Sequence, residues 1–264
     1  MSPVTIITGA SAGIGTELAR VFARSGHALV LVARRAERLE ALAAEIEASG
    51  APAPLALPID LGERDAAARI GAALAARGLQ PQYVVNNAGF GLVGHAAERD
   101  RDALLAMIDV NVRALTDLSL AFIDSLVRSR GGILNVASVA GFLPGPGQAV
   151  YYASKAYVLS FSEALHSELR PLGVRVTALC PGPVSTEFQA RAGATARRIA
   201  FLELPAAQVA EQGYRGLMRG RRLVVPGLGN KVMVFLPRVL PRFVVLGAAD
   251  RRQRSGLASS APRP

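Results

Sequence analysis

The sequence predicts an α/β fold: a doubly wound parallel sheet with helices on both faces, arranged as a three-layer α/β/α structure. Short, β-branched apolar runs alternate with longer stretches rich in Ala, Leu, Glu and Arg that have a helical period, which is typical of βαβ units. The strand-like runs are apolar throughout, as strands are when helices cover both faces of their sheet. The chain has 264 residues, of which 51% are hydrophobic, so it can bury one large core.

The predicted elements follow one another in the order that repeated βαβ units require. The predicted strands are Val4–Thr8, Ala28–Ala33, Pro54–Pro58, Tyr83–Asn86, Ile133–Ala137, Val174–Leu179 and Leu223–Val225. The predicted helices are Gly13–Ser25, Ala36–Ser49, Glu63–Arg77, Arg99–Arg128, Val150–Leu169 and Ala206–Arg219. We therefore expect one domain over residues 1–230 and a basic, partly apolar C-terminal extension with a frayed tail over residues 231–264.

Composition excludes several classes of protein. The single cysteine, Cys180, rules out a disulfide framework and a multi-cysteine zinc site. His27, His95 and His166 have no metal-ligand spacing, so no metal is expected. The first residues lack the features of a signal peptide, and every apolar stretch is shorter than the roughly 18 residues of a membrane span. A cytoplasmic location is the resulting expectation.

The net charge of +10 is distributed unevenly. Residues 1–190 carry 16 basic and 17 acidic side chains, whereas residues 191–264 carry 14 basic and 3 acidic ones. A basic C-terminal quarter is compatible with nucleic-acid binding, but a solvated arginine-rich surface and tail is the favoured interpretation. No nucleic-acid partner is therefore expected.

A glycine-rich segment, Thr8-Gly-Ala-Ser-Ala-Gly-Ile-Gly15, separates the first predicted strand from the first predicted helix. Glycines permit a tight turn and bring backbone N–H groups close to a ligand, and the N-terminus of the helix attracts phosphate. In this strand–turn–helix context the segment predicts a Rossmann-like dinucleotide site. Its candidate residues are Gly9, Ser11, Gly13, Ile14 and Gly15. The segment also matches the nucleophile elbow of serine hydrolases, but that fold needs strands before the elbow, so hydrolysis is disfavoured.

The end of the second predicted strand, Val32-Ala-Arg-Arg35, indicates which dinucleotide binds. An acidic side chain near this position binds the ribose diol of NAD, whereas an arginine accommodates the 2′-phosphate of NADP. Ala33 accepts no hydrogen bond from the diol, and the Arg34 guanidinium suits phosphate oxygens. The segment therefore favours NADP over NAD through Arg34. The alternative is that Arg34 and Arg35 merely begin a solvated helix.

A tyrosine and a lysine carry the candidate chemistry. Among 30 Lys and Arg residues only Lys155 and Lys231 are lysines, so Lys155 is expected to do what an arginine cannot. Tyr151 lies four residues earlier, and on a helix the two side chains project from the same face. A neighbouring ammonium lowers the pKa of a phenol from about 10 towards neutrality. Ser138 follows the fifth strand at the ligand-binding edge of the sheet, where its hydroxyl can bind a carbonyl oxygen.

Together these residues resemble the single-domain branch of the short-chain dehydrogenase/reductase family over residues 3–225. The matching segments are Thr8–Gly15, Asp60-Leu61, Asn86-Asn-Ala-Gly89, Asn111, Ser138, Tyr151-x-x-x-Lys155 and Pro181-Gly-Pro-Val-Ser-Thr186. They occur in the family's order and at its typical spacings, which makes the set specific.

The resemblance implies four catalytic residues. Tyr151 is the general acid in carbonyl reduction and the base in alcohol oxidation. Lys155 lowers the pKa of Tyr151 and binds the nicotinamide ribose, and Ser138 orients the substrate oxygen. Asn111 holds a water that links Lys155 to a proton relay.

The resemblance also implies how the cofactor is held. Asp60 binds the adenine amino group, and the adenosine ribose is bordered by Asn87, Ala88 and Gly89. The nicotinamide carboxamide is fixed by Pro181, Gly182, Val184 and Thr186. The family's second NADP determinant, a basic residue before the second motif glycine, is absent because Ala12 stands there, so NADP preference depends on Arg34.

The sequence thus predicts that residues 1–230 form the dinucleotide-binding catalytic domain of an NADP-dependent oxidoreductase. The substrate is a ketone, aldehyde or secondary alcohol, and residues such as Phe90, Leu92 and Phe142 favour an apolar one. A homodimer or homotetramer is expected. One alternative is a non-catalytic NADP-binding redox sensor, which would not need an acid/base phenol. Another is a sugar-nucleotide epimerase, against which the glycine spacing and short C-terminal part argue.

The C-terminal extension is expected to cover the substrate pocket or to contact a second subunit. Peripheral contact with an anionic membrane surface ranks behind these two interpretations.

Overall fold

The structure, a computed structural model, describes residues 1–184 and 202–258. Its strands form one parallel seven-stranded sheet in the order β3-β2-β1-β4-β5-β6-β7. The strands are β1 Ser2–Thr8, β2 Leu29–Ala33, β3 Leu55–Pro58, β4 Leu79–Asn86, β5 Gly132–Val136, β6 Arg175–Leu179 and β7 Leu223–Val224. The order reverses between β1 and β4, the point at which open α/β sheets bind ligands.

Helices cover both faces of this sheet, so the predicted α/β fold is confirmed. They are α1 Gly13–Arg24, α2 Ala36–Ala48, α3 Ala66–Ala75, α4 Arg101–Ile108, α5 Leu115–Ala121, α6 Ile123–Ser129, α7 Ala149–Leu169, α8 Ala206–Met218, α9 Leu228–Val239 and α10 Arg242–Ala258.

The core lies on the two faces of the sheet, as the apolar strands require. Consecutive residues of β1, Ile6 and Ile7, are both fully buried and belong to different hydrophobic clusters, because side chains alternate across a strand. Ile7 packs on the side that holds Phe22 of α1, and Ile6 packs with Ile70 of α3. Burying both faces holds the carboxyl ends of the strands in register, and those ends position the site.

The predicted single helix Arg99–Arg128 is wrong. The Asp100 side chain accepts hydrogen bonds from the backbone N–H groups of Asp102 and Ala103, which starts α4 at Arg101. A π-helical turn, Asp109–Ala114, then separates α4 from α5. Phe122, whose backbone is not helical, separates α5 from α6. All these pieces keep a similar hydrophobic period, so the pattern does not reveal the breaks.

The C-terminal segment is helical where it is described. Helix α9 begins at Leu228, three residues before the predicted boundary at 231, and α10 follows after a turn at Leu240-Pro241. Pro241 restricts Leu240 to the extended backbone that ends α9. Across the described ranges, no helix is both long and apolar enough to cross a membrane. The division into residues 1–230 and 231–264 stays a prediction.

Candidate active site

A cavity of about 940 Å³ lies at the carboxyl edge of the sheet. The glycine-rich turn after β1 forms one wall, and residues that follow β2, β3, β4, β5 and β6 form the others. The predicted residues that line it are Gly9, Ser11, Gly13, Ile14, Arg34, Asp60, Asn87, Ala88, Gly89, Ser138, Tyr151, Lys155, Pro181, Gly182 and Val184. Gly15 and Asn111 lie behind this wall, and Thr186 lies outside the described residues.

The glycine-rich turn is shaped by close backbone contacts. Gly9 has a φ of +66°, and a Cβ on it would come 2.8 Å from the Ala88 Cα. A Cβ on Gly15 would collide with the Gly9 carbonyl oxygen. Asn87 stabilises the turn, because its Nδ2 donates to the Thr8 carbonyl at 2.9 Å and to the Gly9 carbonyl at 3.3 Å. Asn87 therefore supports the turn as well as lining the cavity.

The turn and the start of α1 fit the pyrophosphate of a dinucleotide. Ala12, the N-cap of α1, makes no side-chain capping bond, and the first turn of α1 carries no acidic residue. Ala12, Gly13 and Ile14 border the cavity, so the N–H groups and the positive dipole end of α1 are directed at it. These are the groups with which a helix N-terminus binds phosphate.

Two arginines lie at the end of the cavity beside the glycine-rich turn, and the structure gives them different partners. We call this the adenosine end, because the resemblance implies that the adenosine of the cofactor lies there. The Arg34 Nη1 lies 3.7 Å from the Asp60 Oδ2, with both side chains largely exposed. The Arg35 Nη2 donates to the Ser11 carbonyl and to the Ser11 Oγ, both at 3.2 Å. Arg35, which the sequence interpretation left without a role, therefore braces the glycine-rich turn. Among the described residues, the polar contact of Arg34 is this exposed ion pair, which contributes little stability.

Ser138 and Tyr151 meet at the centre of the cavity. Ser138 follows β5 and caps a 3₁₀ turn, accepting a hydrogen bond from the Ala140 N–H at 3.1 Å. Its hydroxyl is also hydrogen-bonded to Tyr151, and this bond lowers the pKa of the phenol. Tyr151 projects from the first turn of α7. The structure thus brings together two hydroxyls that can bind one substrate oxygen.

Lys155 lies one helical turn beyond Tyr151 and is 5% exposed. Its Nζ donates to the Val136 carbonyl at 2.9 Å and lies 6.0 Å from the centroid of the Tyr151 ring. Burial lowers the pKa of Lys155 to about 8. The ammonium is therefore fixed within reach of the phenol, and it lines the same cavity.

The expectation that Lys155 brings the pKa of Tyr151 towards neutrality is wrong for this structure. Burial raises the pKa of Tyr151 to about 12, the Ser138 bond opposes this rise, and Tyr152 adds to it. Lys155 is not among the causes of this shift. The physical reason is that desolvation of a phenolate outweighs an ammonium that is directed at the Val136 carbonyl.

Asn111 lies in the π-helical turn and is fully buried. Its Oδ1 accepts from the Phe90 N–H at 3.0 Å, and its Nδ2 donates to the Phe90 carbonyl at 2.9 Å and to the Ser154 Oγ at 3.1 Å. A Cβ on Gly89 would lie 2.9 Å from the Asn111 Oδ1 and 3.5 Å from the Lys155 Nζ. Asn111 therefore clamps the cavity-lining Gly89-Phe90 segment against α7, and its role in holding a water stays a prediction.

The remaining wall of the cavity is largely apolar, although Gln148 and Glu203 also line it. It is formed by Phe90, Leu92, Leu143, Tyr152, Leu202, Met233, Leu236, Leu240, Val244 and Val245. Among the described lining residues the cations are Arg34, Arg35 and Lys155, and the first two lie at the adenosine end. Within the described ranges, no group of three or more His, Cys, Asp and Glu side chains could hold a metal.

Sequence reasoning missed the contribution of Asn230. This residue is 1% exposed, and its Nδ2 donates to the Leu202 carbonyl at 3.1 Å and to the Pro226 carbonyl at 2.8 Å. A Cβ on Gly182 would collide with its side chain. Asn230 thus joins the segment after β6, the approach to α8 and the start of α9. An asparagine in the first turn of a helix gives no signal of such long-range contacts.

Fold and site together define a dinucleotide-binding α/β protein in which a partly buried tyrosine and a buried lysine lie at the ligand edge of the sheet. The family model described as short chain dehydrogenase matches residues 3–197. The chain therefore belongs to the short-chain dehydrogenase family, a family of oxidoreductases, as the resemblance predicted.

Individual relatives extend this comparison. The chain is 40% identical over 191 residues to sulfoacetaldehyde reductase from Chromohalobacter salexigens, covering 71% of this chain and 75% of that protein. It is 35% identical to a solved short-chain dehydrogenase from Sphingobium yanoikuyae in complex with NADPH, with a TM-score of 0.77 over 99% of this chain and 97% of that one. It is 28% identical to the bulky-bulky ketone specific alcohol dehydrogenase from Comamonas testosteroni, with a TM-score of 0.75 over 100% and 96% of the two chains.

Proposed function

We propose that this protein transfers hydride between NADP(H) and a bulky, apolar ketone or the corresponding secondary alcohol. The observation that carries the proposal is the meeting of Ser138, Tyr151 and Lys155 beside a largely apolar cavity wall. The turn after β1 and the Arg34–Arg35 pair supply the groups that suit a phosphorylated dinucleotide. The solved relative from Sphingobium yanoikuyae that binds NADPH supports this choice of cofactor.

In the proposed mechanism, NADPH supplies the hydride when bound, and the protein supplies the proton and the orientation. The Ser138 and Tyr151 hydroxyls donate hydrogen bonds to the substrate carbonyl oxygen, which makes its carbon more electrophilic. With its pKa near 12, Tyr151 is fully protonated at neutral pH, so the phenol can transfer its proton to the developing alkoxide. The Ser138 hydroxyl, which already lowers the pKa of Tyr151, favours the phenolate that remains, and Lys155 lines the cavity beside it.

The proposed substrate class follows from the cavity wall. Among the described residues, Lys155 is the cation at the substrate end, and its Nζ is committed to the Val136 carbonyl. Such a wall offers little to a sulfonate or carboxylate, whereas apolar area rewards a large hydrocarbon group. The bulky-ketone dehydrogenase from Comamonas testosteroni, which covers the whole of this chain, supports the same class.

The test is NADPH oxidation measured against bulky aryl ketones, with sulfoacetaldehyde as the small anionic comparison and NADH as the second cofactor. We expect turnover with the ketones, a lower kcat/KM for sulfoacetaldehyde and weaker use of NADH. Tyr151→Phe should lower kcat by about 100-fold or more, with NADPH binding retained. The matched control is Tyr157→Phe, because Tyr157 lies on the same helix and is 40% exposed, with its hydroxyl 3.0 Å from that of Thr116.

Three outcomes would contradict parts of this proposal. A higher kcat/KM for sulfoacetaldehyde than for every ketone would replace the substrate class. Equal use of NADH would remove the role of Arg34. Tight NADPH binding without turnover of any carbonyl would instead favour the redox sensor.

A further inference from the structure

Helix α9 carries an apolar stripe that the described part of the chain leaves uncovered. Leu228, Val232, Phe235 and Val239 are 80%, 60%, 59% and 61% exposed. They are spaced four, three and four residues apart, so they lie along one side of the helix. Phe243, 77% exposed, and Leu246, 46% exposed, continue the patch on the first turns of α10. We call these six residues the outer face.

The outer face is separate from the wall that α9 gives to the cavity. Met233, Leu236, Pro237 and Leu240 of this segment line the cavity, and the outer-face residues do not. Val234 points inward and is 7% exposed. Helix α9 thus carries apolar side chains on its cavity side and on its outer side, and the described residues cover only the first of these. Exposed apolar patches of this kind mark interaction surfaces.

The charge around the outer face narrows the choice of partner. Residues 228–249 contain Lys231, Arg238 and Arg242 and no Asp or Glu. A two-fold contact between copies of this face would bring two positively charged segments together, with Asp250 as the one acidic residue of α9 and α10 to oppose them. An anionic lipid surface has the opposite charge, and each nearby Lys or Arg adds attraction to it.

We propose that the outer face binds the surface of an anionic phospholipid bilayer. The exposed Phe, Leu and Val side chains enter the boundary between headgroups and acyl chains, and the basic residues remain among the headgroup phosphates. Together these are the two signals, apolar burial and cationic attraction, that peripheral binding requires.

This arrangement places the cavity beside the bilayer. Leu236, Leu240 and Val244 line the cavity and are also 46%, 42% and 41% exposed, so they form its rim next to the outer face. An apolar substrate dissolved in the bilayer then reaches the cavity without crossing bulk water. This last step rests on the proposed function, whereas the lipid contact does not.

The lipid contact is tested by co-sedimentation of the full chain with vesicles of phosphatidylcholine alone or mixed with phosphatidylglycerol. We expect binding to the mixed vesicles that weakens as salt is added and much weaker binding to phosphatidylcholine. Val232→Glu/Phe235→Glu should lower the partition coefficient by about tenfold or more, since each substitution removes a large apolar contact. The matched control is Leu105→Glu/Leu172→Glu, because these residues are 44% and 51% exposed at other places on the surface.

Equal sedimentation of the wild type and the outer-face variant would overturn the proposal, and so would failure of the wild type to sediment with mixed vesicles. A different result would identify a second copy of the chain as the partner. In that case the wild type does not sediment with vesicles, and sedimentation velocity shows a dimeric wild type but a monomeric outer-face variant. NADPH turnover of a water-soluble ketone, measured on the same samples, tells loss of lipid binding apart from failure of the proposed function. Far-ultraviolet circular dichroism checks that each variant is folded.

Discussion

At the scale of single residues, the site depends on burying two groups that water would otherwise solvate. Burial raises the pKa of Tyr151 to about 12 and lowers the pKa of Lys155 to about 8. Both shifts oppose the charged form, which is the direction that desolvation dictates. In the proposed mechanism the neutral phenol is the proton donor, so this direction of the Tyr151 pKa favours carbonyl reduction. Alcohol oxidation needs the phenolate and is therefore expected to gain from higher pH.

The lowered pKa of Lys155 predicts a pH dependence of stability. Between pH 8 and 9 the folded protein loses this proton while the unfolded chain, with a lysine pKa near 10.4, keeps it. The unfolded state then binds more protons, so this group makes the free energy of unfolding rise with pH. Relative to Lys155→Met, the wild type should gain about 1 kcal/mol over this interval.

Urea unfolding at pH 8 and pH 9 measures this difference. Lys231→Met is the matched control, because it removes a lysine that is exposed rather than buried. Parallel curves for the wild type and Lys155→Met would show that the Lys155 ammonium is not desolvated in the folded protein.

The two neighbouring arginines predict separable effects on cofactor use. Arg34 is 70% exposed and, within the part of the chain that the structure describes, is paired with Asp60. Arg34→Ala should therefore raise the KM for NADPH about tenfold or more and leave the KM for NADH unchanged. Arg35 braces Ser11 in the turn that binds either cofactor, so Arg35→Ala should raise both KM values. Steady-state kinetics with each cofactor distinguishes the two. The reverse pattern would assign the phosphate to Arg35 alone.

The role of a site residue can be predicted from the sequence when the residues that it contacts lie nearby in the chain. Tyr151 and Lys155 are four residues apart on one helix, and the scarcity of lysine marks the second of them, so local pattern was sufficient. The direction of the Tyr151 pKa was predicted wrongly because burial is a tertiary property that no local spacing encodes. Arg35 gained its role from Ser11, which lies in a different turn.

At the scale of helices and strands, local sequence patterns predict the strands, whereas the breaks between helices depend on residues that are distant in sequence. Each predicted strand has a counterpart in the sheet because a fully apolar run flanked by turns is a strong local signal. The breaks in the Arg99–Arg128 segment were missed because a π-helical turn needs a tertiary reason, here the contacts of Asn111 with Phe90 and Ser154.

We expect opposite effects on the free energy of unfolding when alanine replaces two helical glycines, Gly15 at the glycine-rich turn and Gly71 in α3. A Cβ on Gly15 of α1 would collide with the Gly9 carbonyl and the Asn87 amide, so Gly15→Ala should lower the free energy of unfolding by about 1–3 kcal/mol. On Gly71 of α3, the nearest atom to a Cβ is the Phe122 Cε1 at 3.9 Å. Gly71→Ala should therefore raise the free energy of unfolding by up to about 1 kcal/mol, the difference in helix propensity.

Chemical denaturation of the two variants checks this pair, because each serves as the control for the other. A stabilising Gly15→Ala would mean that α1 can shift away from Asn87, and the turn would then be less rigid than its contacts indicate. Loss of NADPH binding is expected to accompany Gly15→Ala and not Gly71→Ala.

At the scale of the whole molecule, the cavity is closed by parts of the chain that are far apart in sequence. The adenosine end is built by the first 61 residues, whereas the substrate end receives Leu202 and the start of the C-terminal helices. The sequence predicted the first part from motifs. For the second part it ranked a pocket or a subunit contact ahead of a membrane surface, because apolar residues near the C-terminus do not by themselves show what they contact.

Asn230 connects these distant parts through its hydrogen bonds. We therefore expect its substitution to affect mainly the substrate end of the cavity. Asn230→Ala leaves the Leu202 and Pro226 carbonyls without this donor, which should lower the free energy of unfolding by about 2 kcal/mol. The start of α9 and Leu202 then loosen, so the KM for a bulky ketone should rise more than the KM for NADPH. Lys231→Ala, an exposed neighbour, is the control for both measurements. An equal rise in the two KM values would mean instead that Asn230 acts through Gly182, which its side chain contacts. The C-terminal helices would then support cofactor binding rather than substrate selection.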